Sequence, residues 1–224
     1  MKWRTPIRAV SFDVGGTLIA AWPSVGHVYA AVARRFTGEL LKPRALDKRF
    51  AAVWRARAGA FDHSRAAWAE LVAEVFARSP LAANEEFFNA LYEHFASPSA
   101  WRIYDDVLPT LRSLRQRGFR LAVISNWDDR LRPLLERLEL SRFFEVIVVS
   151  GELGAHKPAA EIFAHAAGRL GLAPGAILHV GDSENEDVRG ARAAGFQAVQ
   201  VRREAPPSPP GRIASLCELE GLSA

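Results

Sequence analysis

The chain has 224 residues, 49% of them hydrophobic and 24% charged, which is enough apolar material for one domain with room for an insertion. Its formal net charge of +4 comes from arginines dispersed among acids, not from basic runs with interleaved aromatics, which argues against a nucleic-acid partner. No apolar leader and no run of about 18 apolar residues is present, so no membrane span is expected. The lone Cys217 permits no intrachain disulfide, and the chain is expected to be a soluble protein of a reducing cytoplasm.

The first element is RAVSFDVGGTL, Arg8 to Leu18. Apolar and β-branched residues run up to Asp13, then two glycines and a hydroxyl follow, the pattern of a buried strand that delivers a carboxylate to the mouth of a sheet. Gly15 and Gly16 allow the backbone to pass close to a ligand, with main-chain N–H groups free to meet an anion. On its own, an Asp before Gly-Gly is more often a turn residue.

From Ala21 to about Pro98 the apolar residues take helical spacing. Val28, Val32 and Phe36 mark a helix stopped by Gly38, and Leu46, Phe50, Val53 and Trp54 a second that ends near Gly59. A third carries Trp68, Leu71, Val72, Val75 and Phe76; a fourth opens on Asn84 as N-cap and runs through Phe87, Leu91 and Phe95. These aromatic stripes are read as packing. Trp22, His27, Lys42 and Arg57 are the polar or aromatic residues of this stretch that could look down on Asp13, with no ranking among them.

Strands and helices then alternate. A helix through Val107, Leu111 and Leu114 stops at Gly118, and RLAVIS, Arg120 to Ser125, is a strand. A helix with Leu131, Leu134, Leu135 and Leu138 precedes the strand Val146 to Val149. The loop SGELGAHKP leads to a helix from about Ala159 to Leu170. Ile177 to Val180 is a strand, GDSENED and a helix to Gly195 follow, and Gln197 to Val201 is the last strand of the series. The four prolines between Glu204 and Gly211 predict an extended surface stretch before a final short element.

This alternation predicts an α/β fold, a doubly wound, Rossmann-like parallel sheet interrupted by an inserted α-helical bundle. Residues 1–20 and 101–224 form the discontinuous core, and 21–100 the helical insert.

Active loops of such a sheet lie at the carboxyl ends of its strands. Each end carries a polar group: Asp13 and Thr17, then Ser125 and Asn126, then Lys157, then Asp182 with Asp187. Singly, Ser125 reads as a turn residue, Lys157 as a surface lysine and Asp187 as a helix N-terminal acid. Together, in one order, they read as a site. Asp13 and Asp182 are hard oxygen ligands suited to Mg²⁺, and Lys157, Ser125, Thr17 and backbone amides would surround the oxygens of a phosphoryl group that Asp13 attacks.

The residues Phe12-Asp13-Val14-Gly15-Gly16-Thr17-Leu18, Ile124-Ser125-Asn126, Lys157-Pro158 and Gly181-Asp182-Ser183 through Asp187 to Gly190-Ala191 resemble the motifs of the haloacid dehalogenase-like hydrolase superfamily. The resemblance is to its group with a helical cap inserted after the first strand, on the phosphatase-like branch. It implies a Mg²⁺-dependent phosphatase acting on a small phosphorylated metabolite through an aspartyl-phosphate on Asp13. It also implies metal ligation by the Asp13 carboxylate, the Gly15 carbonyl and Asp182, with Asp187 in or near the metal shell. Thr17, Ser125 and Lys157 would serve catalysis, and these three with Gly16 and Asn126 would bind substrate.

One departure stands out. The second Asp of the family's first motif, which protonates the leaving group, is replaced by Gly15. General acid–base catalysis is worth about 10² to 10⁴ in rate, so its loss should be felt. Three readings follow. The first is a phosphatase with weak activity, or good leaving groups, or an acid borrowed from Asp128, His156 or a cap residue. The second is a 2-haloacid dehalogenase-type carbon–halogen hydrolase, whose relatives also lack that Asp but use no metal. The third is a catalytically degenerate member that binds a phospho-ligand or a protein. A carbon–phosphorus hydrolase would need a cap lysine, for which Lys42 and Lys48 are nominal candidates.

Overall fold

The computed structural model describes residues 5–57, 61–203 and 211–222. The chain divides into two compact units, residues 1–19 with 103–224, and residues 20–102.

In chain order the elements begin with β1 (Ala9–Phe12) and β2 (Ile19–Ala21), then the helices α1 (Val25–Thr37), α2 (Pro43–Arg57), α3 (Arg65–Val75) and α4 (Glu85–Ala96). The strand β3 (Trp101–Ile103) leads back to α5 (Val107–Gln116), β4 (Arg120–Ser125), α6 (Leu131–Arg137) and β5 (Val146–Val149). After them come α7 (Ser150–Leu153), α8 (Ala160–Leu170), β6 (Ile177–Gly181), a π-helical turn over Glu184–Arg189, α9 (Gly190–Ala193), β7 (Gln197–Val201) and β8 (Arg212–Ile213).

Six strands form one sheet in the order β5-β4-β1-β6-β7-β8, and every pairing is parallel. β1 is central, with Ala9 opposite Arg120 on one side and Ile177 on the other. All four of its residues are buried, as expected of a parallel strand covered on both faces. On one face Ile124, Val148, Ile162, Phe163, Val188 and Phe196 form a continuous apolar cluster. This packing fixes the strand ends, and with them the loops that carry the polar groups.

The helical unit has its own core of Tyr29, Val32, Leu71, Phe76, Phe87 and Leu91. Side chains satisfy helix N-termini here: Ser24 accepts from the His27 N–H at 3.3 Å, Ser64 from Ala67 at 3.1 Å and Asn84 from Phe87 at 2.8 Å. The aromatic stripes are core, with the Tyr29 and Phe76 rings 5.7 Å apart and those of Phe76 and Phe87 4.9 Å apart.

Several details differ from the sequence expectation. Ser150–Leu153, expected as loop, is a helical turn. The helix expected after GDSENED begins with the π-helical turn, in which Val188 N–H reaches back five residues to the Ser183 carbonyl. β2, β3 and β8 were not foreseen, each being two or three residues long. The expected helix end at Gly59, and residues 204–210 of the proline-rich stretch, lie outside the described residues.

Candidate active site

Asp13 follows β1 directly and its N–H donates to the Val180 carbonyl of β6 at 2.9 Å. The loop after it closes tightly, with the Leu18 and Ile19 N–H groups both donating to the Val14 carbonyl, at 2.8 and 3.0 Å. Gly16 sits at φ +74°, and a Cβ there would lie 2.6 Å from Asp182 Oδ2, so both backbone and space require glycine. From the far side Arg203 holds the loop: it donates to the Thr17 carbonyl at 2.5 Å and to both Asp106 oxygens at 2.9 Å, and lies over the Tyr104 ring.

Four strand ends converge on Asp13. Ser125, the last residue of β4, donates its hydroxyl to Asp13 Oδ1 at 2.9 Å. The Lys157 ammonium donates to the same oxygen at 2.8 Å and to Asp187 Oδ1 at 2.5 Å. Asp13, Asp182 and Asp187 each offer one oxygen, all within 4.8 Å of one another. The residues thus form a hard-oxygen set with one internal cation, and their donor chemistry fits Mg²⁺.

The protonation states follow from burial and neighbours. Burial alone would push the Lys157 ammonium down, but Asp13 and Asp187 hold it above its ordinary value, so it remains charged. Burial raises Asp13, opposed by Lys157 and reinforced by Asp187. Asp187 is held below the usual carboxylate range: burial works upward, and Lys157 and His179 outweigh it. Asp182 is raised to about 7 by burial and by the charges of Asp13 and Asp187. Its outer side is open to solvent, so repulsion from the two acids is the firmer of these causes.

The remaining predicted residues are placed differently. Asn126 is turned to the backbone of Lys157, accepting from its N–H at 2.7 Å and donating to its carbonyl at 2.9 Å. Thr17 is wholly buried and its Oγ1 has no hydrogen-bond partner, so as it stands the hydroxyl does not reach the open cleft. Asp128 is closed off by Arg130, which donates from Nε to Oδ1 at 2.8 Å and from Nη2 to Oδ2 at 2.6 Å. A carboxylate held this way accepts and does not give a proton. His156 lies in the turn before Lys157, where its carbonyl accepts from Ala159. In the helical unit Arg57 pairs with Glu70 and Glu74, His27 Nδ1 is 2.8 Å from Ser24 Oγ, Trp22 lies under the Arg102 guanidinium, and Lys42 and Lys48 are exposed.

Three residues near Asp13 escaped the sequence reading as site residues. Ser11 and His179 are buried polar residues in otherwise apolar strands, and His179 Nε2 lies 3.1 Å from Asp187 Oδ1. A polar residue at matched positions of two such strands was the available signal. Trp127 lies beside Gly15, where a Cβ would come 3.4 Å from the indole. A cleft of about 970 Å³ opens next to Gly16 and Asp182, lined also by Asp106, Gln200, Arg203 and Ser215.

The family model for haloacid dehalogenase-like hydrolases matches residues 7–195. The chain belongs to this family. Among haloacid dehalogenase-like hydrolases it is similar to human haloacid dehalogenase-like hydrolase domain-containing protein 3, 34% identical over 218 residues, covering 90% of this chain and 84% of the relative. It is also similar to a glyceraldehyde 3-phosphate phosphatase of Methanopyrus kandleri, 45% identical over 101 residues, 45% of this chain and 43% of that one. A solved HAD phosphatase from Thermococcus onnurineus superimposes with a TM-score of 0.72 at 27% identity, covering 97% of this chain and 99% of that one.

Proposed function

We propose that this HAD-type hydrolase is a Mg²⁺-dependent phosphatase of small phosphorylated metabolites, with Asp13 as nucleophile. The observation that carries the reading is the convergence of three carboxylates within 4.8 Å of one another, two of them paired with one buried ammonium. Displacing a halide needs no such acidic cluster, whereas gathering a phosphoryl dianion and a divalent cation does.

Asp13 Oδ1 is occupied by Ser125 and Lys157, which leaves the two lone pairs of Oδ2, one for phosphorus and one for a metal ion. Attack by Oδ2 forms a phosphorus–oxygen bond, breaks the bond to the leaving oxygen and produces an aspartyl-phosphate on Asp13. Water then attacks phosphorus and releases Asp13 with inorganic phosphate. Lys157 stays protonated and offsets the charge of the transferring group throughout. Asp13, Asp182 and the Gly15 carbonyl would hold Mg²⁺, with Asp187 at its edge. When bound, the ion would draw charge from the phosphoryl oxygens. The polar cleft beside Asp182 would take the rest of a small substrate.

No carboxyl at position 15 protonates the leaving oxygen, and Asp128 is spent on Arg130. With neither group as proton donor, substrates with acidic leaving groups, which depart without a proton, are favoured.

A carbon–halogen hydrolase is the second reading, and the indole of Trp127 beside Gly15 favours it, because an apolar wall suits a leaving group that takes no proton. The two separate in one experiment. Phosphomonoesters with Mg²⁺ and 2-haloacids without metal are offered to the wild type and to Asp13→Asn. Phosphate release that requires both Mg²⁺ and Asp13 is expected; halide release without metal would replace this proposal with the second reading. Binding of phosphate and Mg²⁺ without turnover would leave a degenerate phospho-ligand binder.

A further inference from the structure

The chemistry above leaves one buried polar pair unused. β1 and β6 pair so that Ser11 stands opposite His179, and both side chains are wholly buried. Polar groups in the middle of a parallel sheet cost free energy unless their hydrogen bonds are completed. Here they are. His179 Nδ1 lies 2.9 Å from Ser11 Oγ, Nε2 lies 3.1 Å from Asp187 Oδ1, and Phe163 packs its ring against the imidazole at 5.3 Å and 83°.

The direction of these bonds follows from the partners. The Asp187 carboxylate only accepts, so Nε2 carries a hydrogen whether the ring is neutral or charged. Ser11 completes the other end, donating to a bare Nδ1 or accepting from Nδ1–H with its own hydrogen turned to the Leu178 carbonyl at 3.5 Å. Asp187 is then held from three directions: Oδ1 takes His179 and Lys157, and Oδ2 takes the Ser183 N–H at 2.9 Å. Even the space is shaped for it, since a Cβ at Gly181 would collide with the Asp187 side chain. Lys157 bridges this fixed oxygen and the nucleophile Asp13.

We propose that His179, braced by Ser11, is a positioning residue for hydrolysis: it fixes the Asp187 carboxylate so that Lys157 presents its ammonium to Asp13. This rests on Asp13 being the nucleophile. A histidine that merely filled the core would be replaceable by an apolar residue of similar size.

The test compares His179→Leu, His179→Gln and Ser11→Ala with the wild type, using p-nitrophenyl phosphate and Mg²⁺. Glutamine restores an N–H donor near the position of Nε2; leucine does not. His179→Leu is expected to lower kcat by roughly 30-fold with KM little changed, because a misplacement of about 1 Å can cost up to 10²-fold. His179→Gln should recover kcat to within about fivefold of wild type and Ser11→Ala should fall between. A structural role alone would lower thermal stability without this division between kcat and KM. The second readout needs no turnover: in ¹⁵N-lysine-labelled protein the Lys157 ammonium should give a slowly exchanging signal in wild type and His179→Gln, lost in His179→Leu. Wild-type kcat and an unchanged ammonium signal in His179→Leu would overturn the proposal, as would a folded His179→Gln that recovers neither. If His179→Leu does not fold, Ser11→Ala decides by the same two readouts. A wild type without phosphatase activity would sink the hydrolytic reading alone, and the ammonium signal would still decide whether His179 braces Lys157.

Discussion

The side-chain amide of Asn126 holds the backbone of Lys157 on both sides, receiving its N–H at 2.7 Å and donating to its carbonyl at 2.9 Å. The loop after β4 thereby sets where the ammonium of the next loop can stand. Asn126→Ala should release that grip and reduce kcat on p-nitrophenyl phosphate by about 10- to 100-fold, with a stability loss of about 2 kcal/mol, since each of the two hydrogen bonds nets roughly 1 kcal/mol. Asn126→Asp keeps the acceptor, loses the donor and should be at least as impaired. Steady-state kinetics beside urea denaturation separate the two effects. Equal activity in Asn126→Ala and wild type would remove the amide from the argument.

Removing the ammonium is a harsher change. Lys157→Met leaves the buried carboxylates of Asp13 and Asp187 without their shared cation, and breaking a buried pair in this way costs about 3–5 kcal/mol. Asp13→Asn should cost distinctly less, because Lys157 keeps Asp187 and the repulsion among the three acids is relieved. Urea denaturation of both variants gives the order. A Lys157→Met variant as stable as Asp13→Asn would contradict a charged, doubly paired lysine.

Position 15 offers a gain of function. A Cβ on Gly15 would sit 3.4 Å from the Trp127 ring, an ordinary contact, and Gly15 is not among the positive-φ glycines. Gly15→Asp should therefore fold and supply the missing proton donor. Its benefit should grow with the basicity of the leaving group, small for p-nitrophenyl phosphate and approaching about 10² for alkyl phosphates. The slope of log(kcat/KM) against leaving-group pKa is the measurement, and it should flatten in Gly15→Asp. An unchanged slope would show that proton transfer to the leaving oxygen does not limit the rate.

The sheet and the ends of its strands were legible in the sequence because they follow from local signals. β4 begins and ends at the residues that the apolar run RLAVIS marks, and α4 starts behind the Asn84 cap. Asp13, Ser125 and Asp182 stand out because polar residues after apolar runs break a pattern, and Lys157 and Asp187 only by their place in the segments that follow β5 and β6. Contacts across about 30 to 190 residues do not. Nothing in the spacing joins Arg203 to the Thr17 carbonyl, or Asn126 to the backbone of Lys157. The π-helical turn at Glu184–Arg189 was hidden too, since its register is set by Asp187 reaching back to Ser183 and Lys157 rather than by apolar periodicity.

A further pH dependence comes from Asp106, on the wall of the cleft it shares with Asp182. Burial works upward on Asp106, but hydrogen bonds from Arg203, Ser215 and the Leu216 N–H together hold it below the usual carboxylate range. A depressed folded-state value contributes stability that is present above the unfolded value of 3.8 and lost as pH falls through the folded one. The stability difference between wild type and Asp106→Asn should therefore be largest at neutral pH and shrink below about pH 4. Urea midpoints measured between pH 7 and pH 2.5 follow it. A difference that widens in acid would reverse the assignment.

β1 precedes the other strands of the six-stranded sheet in the chain and lies at its centre, flanked by residues 120–123 and 177–180. On a ribosome adding about 5–20 residues per second, the unpaired backbone N–H and C=O groups on its second edge wait on the order of ten seconds for their partner strand. The helices between are built from local contacts and can form meanwhile. Mutations that delay β6 should thus lower soluble yield in the cell more than they lower the equilibrium stability of the finished protein.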